Sequence, residues 1–266
     1  MPAIGIAFKT SKKWFWGVLH QETKNLKPEK TSSHLIGTLG EKSLHAALKV
    51  WCAQQGDRLE EWVDGFHIDI VRQGRLIEIQ TTNFSSQKQK LKTLTKTHQL
   101  RLVFPIAMQK WIVRLAGDGH TCLGRRKSPK KENVFQLFGE LVSIPDLIKR
   151  KNFSIEVLLI KAEEIRCDDG LGSWRRKGVS IMDRSLLDVV DSHIFNTPAD
   201  FLSLMPADLP KRFSTLDLAK GIDQPRWLAQ KMAYCLRIMG VVDAVGKSGN
   251  AVLYALSNLG GAHTGV

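Results

Sequence analysis

The chain has 266 residues, a net charge of +13, 43% hydrophobic and 24% charged residues. That is enough apolar material for a sizeable core, which excludes global disorder. No run of 18 apolar residues is present, which excludes a membrane-spanning helix on length.

Residues 1–34 read as an N-terminal extension, with a short apolar stretch that can add a strand and then a linker, "KNLKPEKTSSH". Its lysines follow the first apolar stretch, the wrong order for a signal peptide. "TLGEKSLHAALKVWCAQ" sets Leu39, Leu44, Ala47, Leu48 and Trp51 near helical spacing, with Thr38 as N-cap, and predicts a helix over 39–54. "EEWVDGFHIDIVRQGRLIEIQTTNF" alternates in both halves, and Gln73-Gly74 suits a two-residue hairpin loop. That register pairs Arg72 with Arg75, Val71 with Leu76, Ile70 with Ile77, Asp69 with Glu78, Ile68 with Ile79 and His67 with Gln80. One face then carries Phe66, Ile68, Ile70, Ile77 and Ile79. The other carries His67, Asp69, Glu78 and Gln80, with Val71 and Leu76 near the turn. A one-residue slip would mix the two sets, so the register is well specified.

"SSQKQKLKTLTKTHQ" predicts a helix, "LRLVFPI" and "KWIVRL" strands, and "GRRKSPKKEN" a basic loop. "VFQLFGELVSIPDLIKR" reads as helical, broken near Pro145. "FSIEVLLIKAEEIRC" reads as a buried strand, with a hairpin through "GSWRRKGVSIMD". Helices at 185–194 and 198–205 form an expected connector. From Phe213 the order changes: a short helix capped by Ser214 or Thr215, a second helix opening at Pro225 and stopping at Gly240, then a hairpin turning at Lys247–Asn250. Helix, turn, helix and hairpin is the order of a winged helix-turn-helix.

The charge is uneven. Thr81 to Lys131 holds twelve Lys or Arg and one acid, Asp118, for a net +11. Such a block suits a polyanion, since each phosphate contact releases counterions. Cys52, Cys122, Cys167 and Cys235 are far apart and form no C-x-x-C pair, which speaks against a local zinc site and fits a reducing cytoplasm.

Chemistry concentrates in the first hairpin. Carboxylates opposed across neighbouring strands stand roughly 4.5–5.5 Å apart at Cβ and repel unless a positive group lies between them. Asp69 and Glu78 are such a pair in the predicted register. A hard divalent cation, Mg2+ or Mn2+, satisfies carboxylate oxygens, and the Ile79 carbonyl can add a ligand. The competing reading is a solvated face on which both acids pair with Lys or Arg.

"IDIVRQGRLIEIQ", preceded by a helix containing "GEKSLHAALK", resembles the PD-(D/E)xK phosphodiesterase superfamily, the restriction-endonuclease-like fold. The resemblance covers about residues 37–106. It matches Glu41 to the family's helical acid, Asp69 to its Asp and Glu78 to the first residue of Glu-x-Lys. Two positions depart from the pattern: Ile68 precedes Asp69 where proline is usual, and Gln80 stands where lysine is usual. Some restriction enzymes of the family carry Glu-x-Gln. Gln80 could then position the attacking water but cannot supply a charge. Lys88, on the following helix, either supplies that charge or is one of several lysines on a basic face. The whole chain is also similar to an uncharacterised bacterial family with this arrangement.

The expected architecture is an α/β restriction-endonuclease-like domain at 35–180, a helical connector at 181–210, a winged helix at 211–257 and a tail at 258–266. The expected function is metal-dependent hydrolysis of DNA in the cytoplasm, with Asp69 and Glu78 as metal ligands and Glu41, Gln80 and Lys88 assisting. Arg125, Arg126, Lys127, Lys130 and Lys131 are expected on phosphates, with Arg226, Lys231 and Lys247 from the winged helix. Many nucleases of this fold act as dimers, so a homodimer is among the expected assemblies. The alternative is a nuclease-fold protein that binds DNA or assembles without catalysis.

Overall fold

The computed structural model describes residues 43–257. The expectations for residues 1–34, Thr38, Glu41 and the tail at 258–266 lie outside the described residues.

A mixed seven-stranded sheet forms the centre. In chain order its elements are α1 (Ser43–Cys52), β1 (Arg58–Val63), β2 (Phe66–Arg72), β3 (Arg75–Ile79), α2 (Phe84–Leu94), β4 (Leu100–Leu115), β5 (Cys122–Lys127), α3 (Leu137–Leu141), β6 (Phe153–Cys167) and β7 (Ser180–Phe195). The strand order is β1-β2-β3-β4-β6-β7, with β5 paired to β4. β1, β2 and β3 form an antiparallel meander, whereas β3–β4 and β4–β6 are parallel. A parallel pair needs a crossover, and α2 supplies it between β3 and β4. The chain is therefore α/β, with a mixed sheet flanked by helices, as expected.

Two apolar layers cover the sheet. Leu44, Leu48 and Cys52 of α1 cluster with Ile70, Ile77, Ile79, Val103, Leu158 and Ile160. Phe84, Leu91 and Leu94 of α2 and Phe138 and Leu141 of α3 join Ile68, Val71, Leu76, Leu102 and Phe153 in the larger core. Both faces of the first hairpin are thus buried, rather than one. Its register near the turn is the expected one: Ile70 opposes Ile77, Val71 opposes Leu76 and Arg72 opposes Arg75.

Several elements differ from expectation. β1 is a separate strand, turned onto β2 through Asp64-Gly65, where both residues have positive φ. "LRLVFPI" and "KWIVRL" are one strand, β4, with a register shift between Ala107 and Gln109. Part of the basic loop is strand β5. The connector helix at 185–194 is instead strand within β7. Its Leu and Val residues fit either period, and the open edge of the long apolar β6 decides the matter by offering a ladder from Ile155 to Cys167. Residues 198–204 do form a short 3-10 helix.

The C-terminal segment folds in the expected order. Ser214 caps α4 (Thr215–Gly221) and exchanges hydrogen bonds with Asp217. α5 (Arg226–Met239) ends on Gly240 at φ 80°, the left-handed turn that glycine takes without penalty. β8 (Val242–Ser248) and β9 (Ala251–Leu256) form the hairpin, and Phe213 bridges to Tyr254. Leu228, Met232, Cys235, Leu236 and Met239 do not close a core of their own. They pack in the same cluster as Phe84, Phe138 and Phe201, each burial worth roughly 1.5–3 kcal/mol. Lys231 Nζ donates to the Gly139 carbonyl at 3.0 Å, and Lys149 Nζ to that of Ile238 at 3.2 Å. Trp227 and Tyr234, by contrast, face outward. Among the described residues, no helix is long and apolar enough to cross a membrane.

Candidate active site

The β2–β3 ladder ends at Ile70 and Ile77. Beyond it the strands part, and the expected pairing of Asp69 with Glu78, Ile68 with Ile79 and His67 with Gln80 does not form. The Asp69 side chain enters the gap, where the Ile79 amide donates to Asp69 Oδ2 at 2.7 Å. Opposite Asp69 on β1, Glu60 takes the left-handed region at φ 56°, a conformation that strains a non-glycine residue. The two acids, on neighbouring strands, turn to different helices. Asp69 meets α1 and Glu78 meets α2.

Around Asp69, His45 Nε2 lies 3.4 Å from Oδ2 and 3.0 Å from the Ile79 carbonyl. A carbonyl only accepts, so Nε2 carries the proton. Lys49 Nζ is 3.9 Å from Oδ1 and also pairs with Glu60, whose other oxygen is 3.0 Å from His67 Nε2. Burial alone would raise the Asp69 pKa, but His45, the Ile79 amide and Lys49 outweigh it and hold the carboxyl below its ordinary value.

Glu78 is held differently. Lys90 Nζ donates to Glu78 Oε1 at 2.5 Å and to the His67 carbonyl at 2.5 Å. Glu78 Oε2 is buried with no hydrogen-bond partner among the described residues. Burial first, and then the nearby charge of Asp69, raise the Glu78 pKa, and Lys90 offsets this only in part. Two neighbouring carboxyls with pKa values pushed apart are a pattern of functional sites.

The structure thus brings together Asp69 and Glu78, 7% and 6% exposed, but not Lys88. Lys88 is exposed. Two residues along a helix is a rotation of about 200°, so Lys88 and Lys90 flank opposite sides of the buried stripe of Phe84, Leu91 and Leu94. Lys90 is on the flank that meets Glu78. Gln80 Nε2 donates to the Thr82 carbonyl, which turns its amide along the chain rather than onto Glu78. His45 and Lys49 also escaped the sequence reading, although their i,i+4 spacing beside Leu44 and Leu48 puts them on one flank of α1.

Among the described residues, no group of three His, Cys, Asp or Glu side chains converges as a metal cage. The donors that fit a hard divalent cation are the Asp69 carboxylate, the Ile79 carbonyl and the orphaned Glu78 Oε2.

Most of the basic residues expected on phosphates are exposed. Arg125, Arg126 and Lys127 lie on exposed β5, and Lys130 and Lys131 follow, all exposed. Arg125 and Lys127 lie over the Trp111 ring at 5.2 and 5.4 Å, Arg125 meets Glu163 at 2.6 Å and Lys130 meets Glu132 at 2.6 Å. Arg226 and Lys247 are exposed, while Lys231 is half-buried against Gly139. Cys52, Cys167 and Cys235 are buried and Cys122 is exposed. Burial pushes the Cys235 thiol up to about 12.

A family model described as "Domain of unknown function (DUF8091)" matches residues 42–196. The chain belongs to that family. An uncharacterized protein of Treponema pallidum (strain Nichols) is 34% identical over 186 residues, or 70% of this chain and 74% of the relative. No solved structure matches the chain. The DUF8091 segment contains Asp69, Glu78 and Lys90, and ends before α4.

Proposed function

We propose that the protein is a metal-dependent hydrolase of phosphodiester bonds in DNA, related in design to the PD-(D/E)xK nucleases. The observation that carries this reading is the buried Oε2 of Glu78, without a hydrogen-bond partner among the described residues, beside Asp69 where the β2–β3 ladder opens. An unsatisfied buried acceptor costs about 1–3 kcal/mol, a penalty that a bound cation would remove. The order α1-β1-β2-β3-α2-β4, with an acid on each of β2 and β3, supports the same reading.

Asp69, Glu78 and the Ile79 carbonyl would hold Mg2+ or Mn2+, which supplies an activated water and charge stabilisation at a phosphate oxygen. Lys90 fixes Glu78 and places a positive charge beside it, the role Gln80 cannot fill. Gln80, anchored through Nε2 on Thr82, keeps its side-chain oxygen to accept a hydrogen bond from the attacking water and so orient it. Water attacks phosphorus, the bond to the leaving sugar oxygen breaks, and that oxygen takes up a proton. Arg125 to Lys131 would hold the backbone, and α5 with its hairpin would act as a winged helix presenting Arg226, Gln230, Arg237 and Lys247.

The second reading is a DNA-binding protein of this fold without catalysis. It is favoured by His45 and Lys90, which already place cations or donors on both acids. Plasmid incubated with Mg2+ or Mn2+ separates the two. Cleavage lost in Asp69→Ala and Glu78→Ala supports the hydrolase, and cleavage that survives both sinks the site. No cleavage in the wild type, with salt-sensitive DNA binding retained, supports the second reading.

A further inference from the structure

A cleft of about 410 Å3 opens between the bend of β4, the residues after β3 and the start of α5. It begins at Thr81 and Thr82, directly after Gln80, so it continues from the carboxylate end of the hairpin. Its walls carry Lys110, Arg184 and Lys231, and the Trp227 ring, 52% exposed, stands at its side.

The charge in this cleft is not balanced. Lys110, Arg184 and Arg166 converge on one buried carboxylate, Glu164, at 3.5, 3.0 and 2.6 Å. One negative charge faces three positive ones. Lys231 meets no carboxylate among the described residues: its ammonium donates to the Gly139 carbonyl and lies 5.6 Å from the Trp227 ring centre. Of the acids that also line the cleft, Glu132 pairs with Lys130 and Glu163 with Arg125, while Glu140 accepts from the neutral Phe84 amide and keeps its charge. Counting Glu164 and Arg166 beneath the lining, the four cations Lys110, Arg184, Arg166 and Lys231 meet the two carboxylates Glu164 and Glu140, and this excess of positive charge beside an exposed indole suits a phosphate joined to a flat base.

We infer that this cleft takes one nucleotide of a single-stranded nucleic acid, its phosphate against Lys110, Arg184 and Lys231 and its base against Trp227. The role of this nucleotide as a neighbour of the scissile bond rests on the hydrolase reading. The binding itself does not.

The test uses the full chain in EDTA, so that nothing is cut. Fluorescence anisotropy with a labelled oligothymidylate of about ten residues measures binding to wild type, Trp227→Ala and Trp227→Phe. Stacking on one aromatic side chain is worth about 1–3 kcal/mol, so Trp227→Ala should weaken binding about fivefold or more, and Trp227→Phe should recover most of it. Lys231→Gln should reduce the salt dependence. Thymidine 5′-monophosphate that competes shows that the cleft accepts a free nucleotide. No competition, with the Trp227→Ala loss intact, shows that it needs the strand. Binding by Trp227→Ala within twofold of wild type overturns the inference, as does an equal loss on blunt duplex, which would assign Trp227 to a groove-facing surface of α5. Cleavage abolished by Asp69→Ala with no Trp227 effect removes this inference and leaves the hydrolase. The reverse pattern does the opposite.

Discussion

Glu78 and Glu164 are both buried glutamates of the same sheet, and the protein treats them in opposite ways. Around Glu164, burial is outweighed by Arg166, Lys110 and Arg184, and the carboxyl is held down at about 2. Around Glu78, burial and Asp69 win over the single Lys90, and the pKa rises. One oxygen of Glu78 has no hydrogen-bond partner among the described residues, whereas both oxygens of Glu164 accept from cations. A saturated carboxylate is a structural fixture of the sheet. An under-satisfied one is kept at a stability penalty.

The sharpest way to break that comparison is Glu164→Gln. Three cations would be left around a neutral amide, and losing one partner of a buried ionic cluster costs about 3–5 kcal/mol. Thermal unfolding should fall accordingly, and a loss below 1 kcal/mol would show that the cluster is not structural.

Lys90→Gln should cost about 1–3 kcal/mol near pH 8, because Glu78 then stays charged and buried without a cation. The sign follows from linkage. A carboxyl whose folded pKa is raised destabilises the native state above that pKa, and the penalty disappears as pH falls toward the unfolded value of 4.5. The Lys90→Gln deficit should therefore shrink at low pH, and denaturant titrations at several pH values measure it. A deficit that grows at low pH would contradict the assignment.

Glu78→Gln should act in the opposite direction. It removes the buried charge and should raise Tm at pH 7–8 by roughly 2–4 °C, the shift that about 1 kcal/mol gives in a chain of this size. The gain should fade toward pH 4.5, and any metal-dependent cleavage should be lost. The smallest effect belongs to Lys88→Gln, which should stay within about 0.5 kcal/mol and leave cleavage unchanged. Lys88→Gln and Lys90→Gln behaving alike would erase the distinction between the two flanks of α2.

The parts of this design that were legible in the sequence are those set by local pattern. The hairpin at Gln73-Gly74, its register near the turn, and the cap and stop of the C-terminal helices follow from period and turn chemistry. The parts that were hidden depend on distant partners. β7 looked helical because Leu186, Leu187, Val189 and Val190 satisfy either period, and only the edge of β6 settles it. The split of Asp69 from Glu78 was hidden for a similar reason. Perfect alternation predicts one polar face, but it contains no sign that the ladder would open and admit a carboxylate. Lys90 required knowing which flank of α2 faces the acids.

The shared core of α3 and α5 has a consequence for what counts as one protein unit here. The DUF8091 match stops at residue 196, yet Phe138 and Leu141, inside it, are roofed by Leu228, Met232 and Leu236, outside it. The stretch that kinship recognises and the stretch that unfolds cooperatively have different ends. A fragment cut at the family boundary would carry an uncovered oily patch into solution, and self-association would be its characteristic failure.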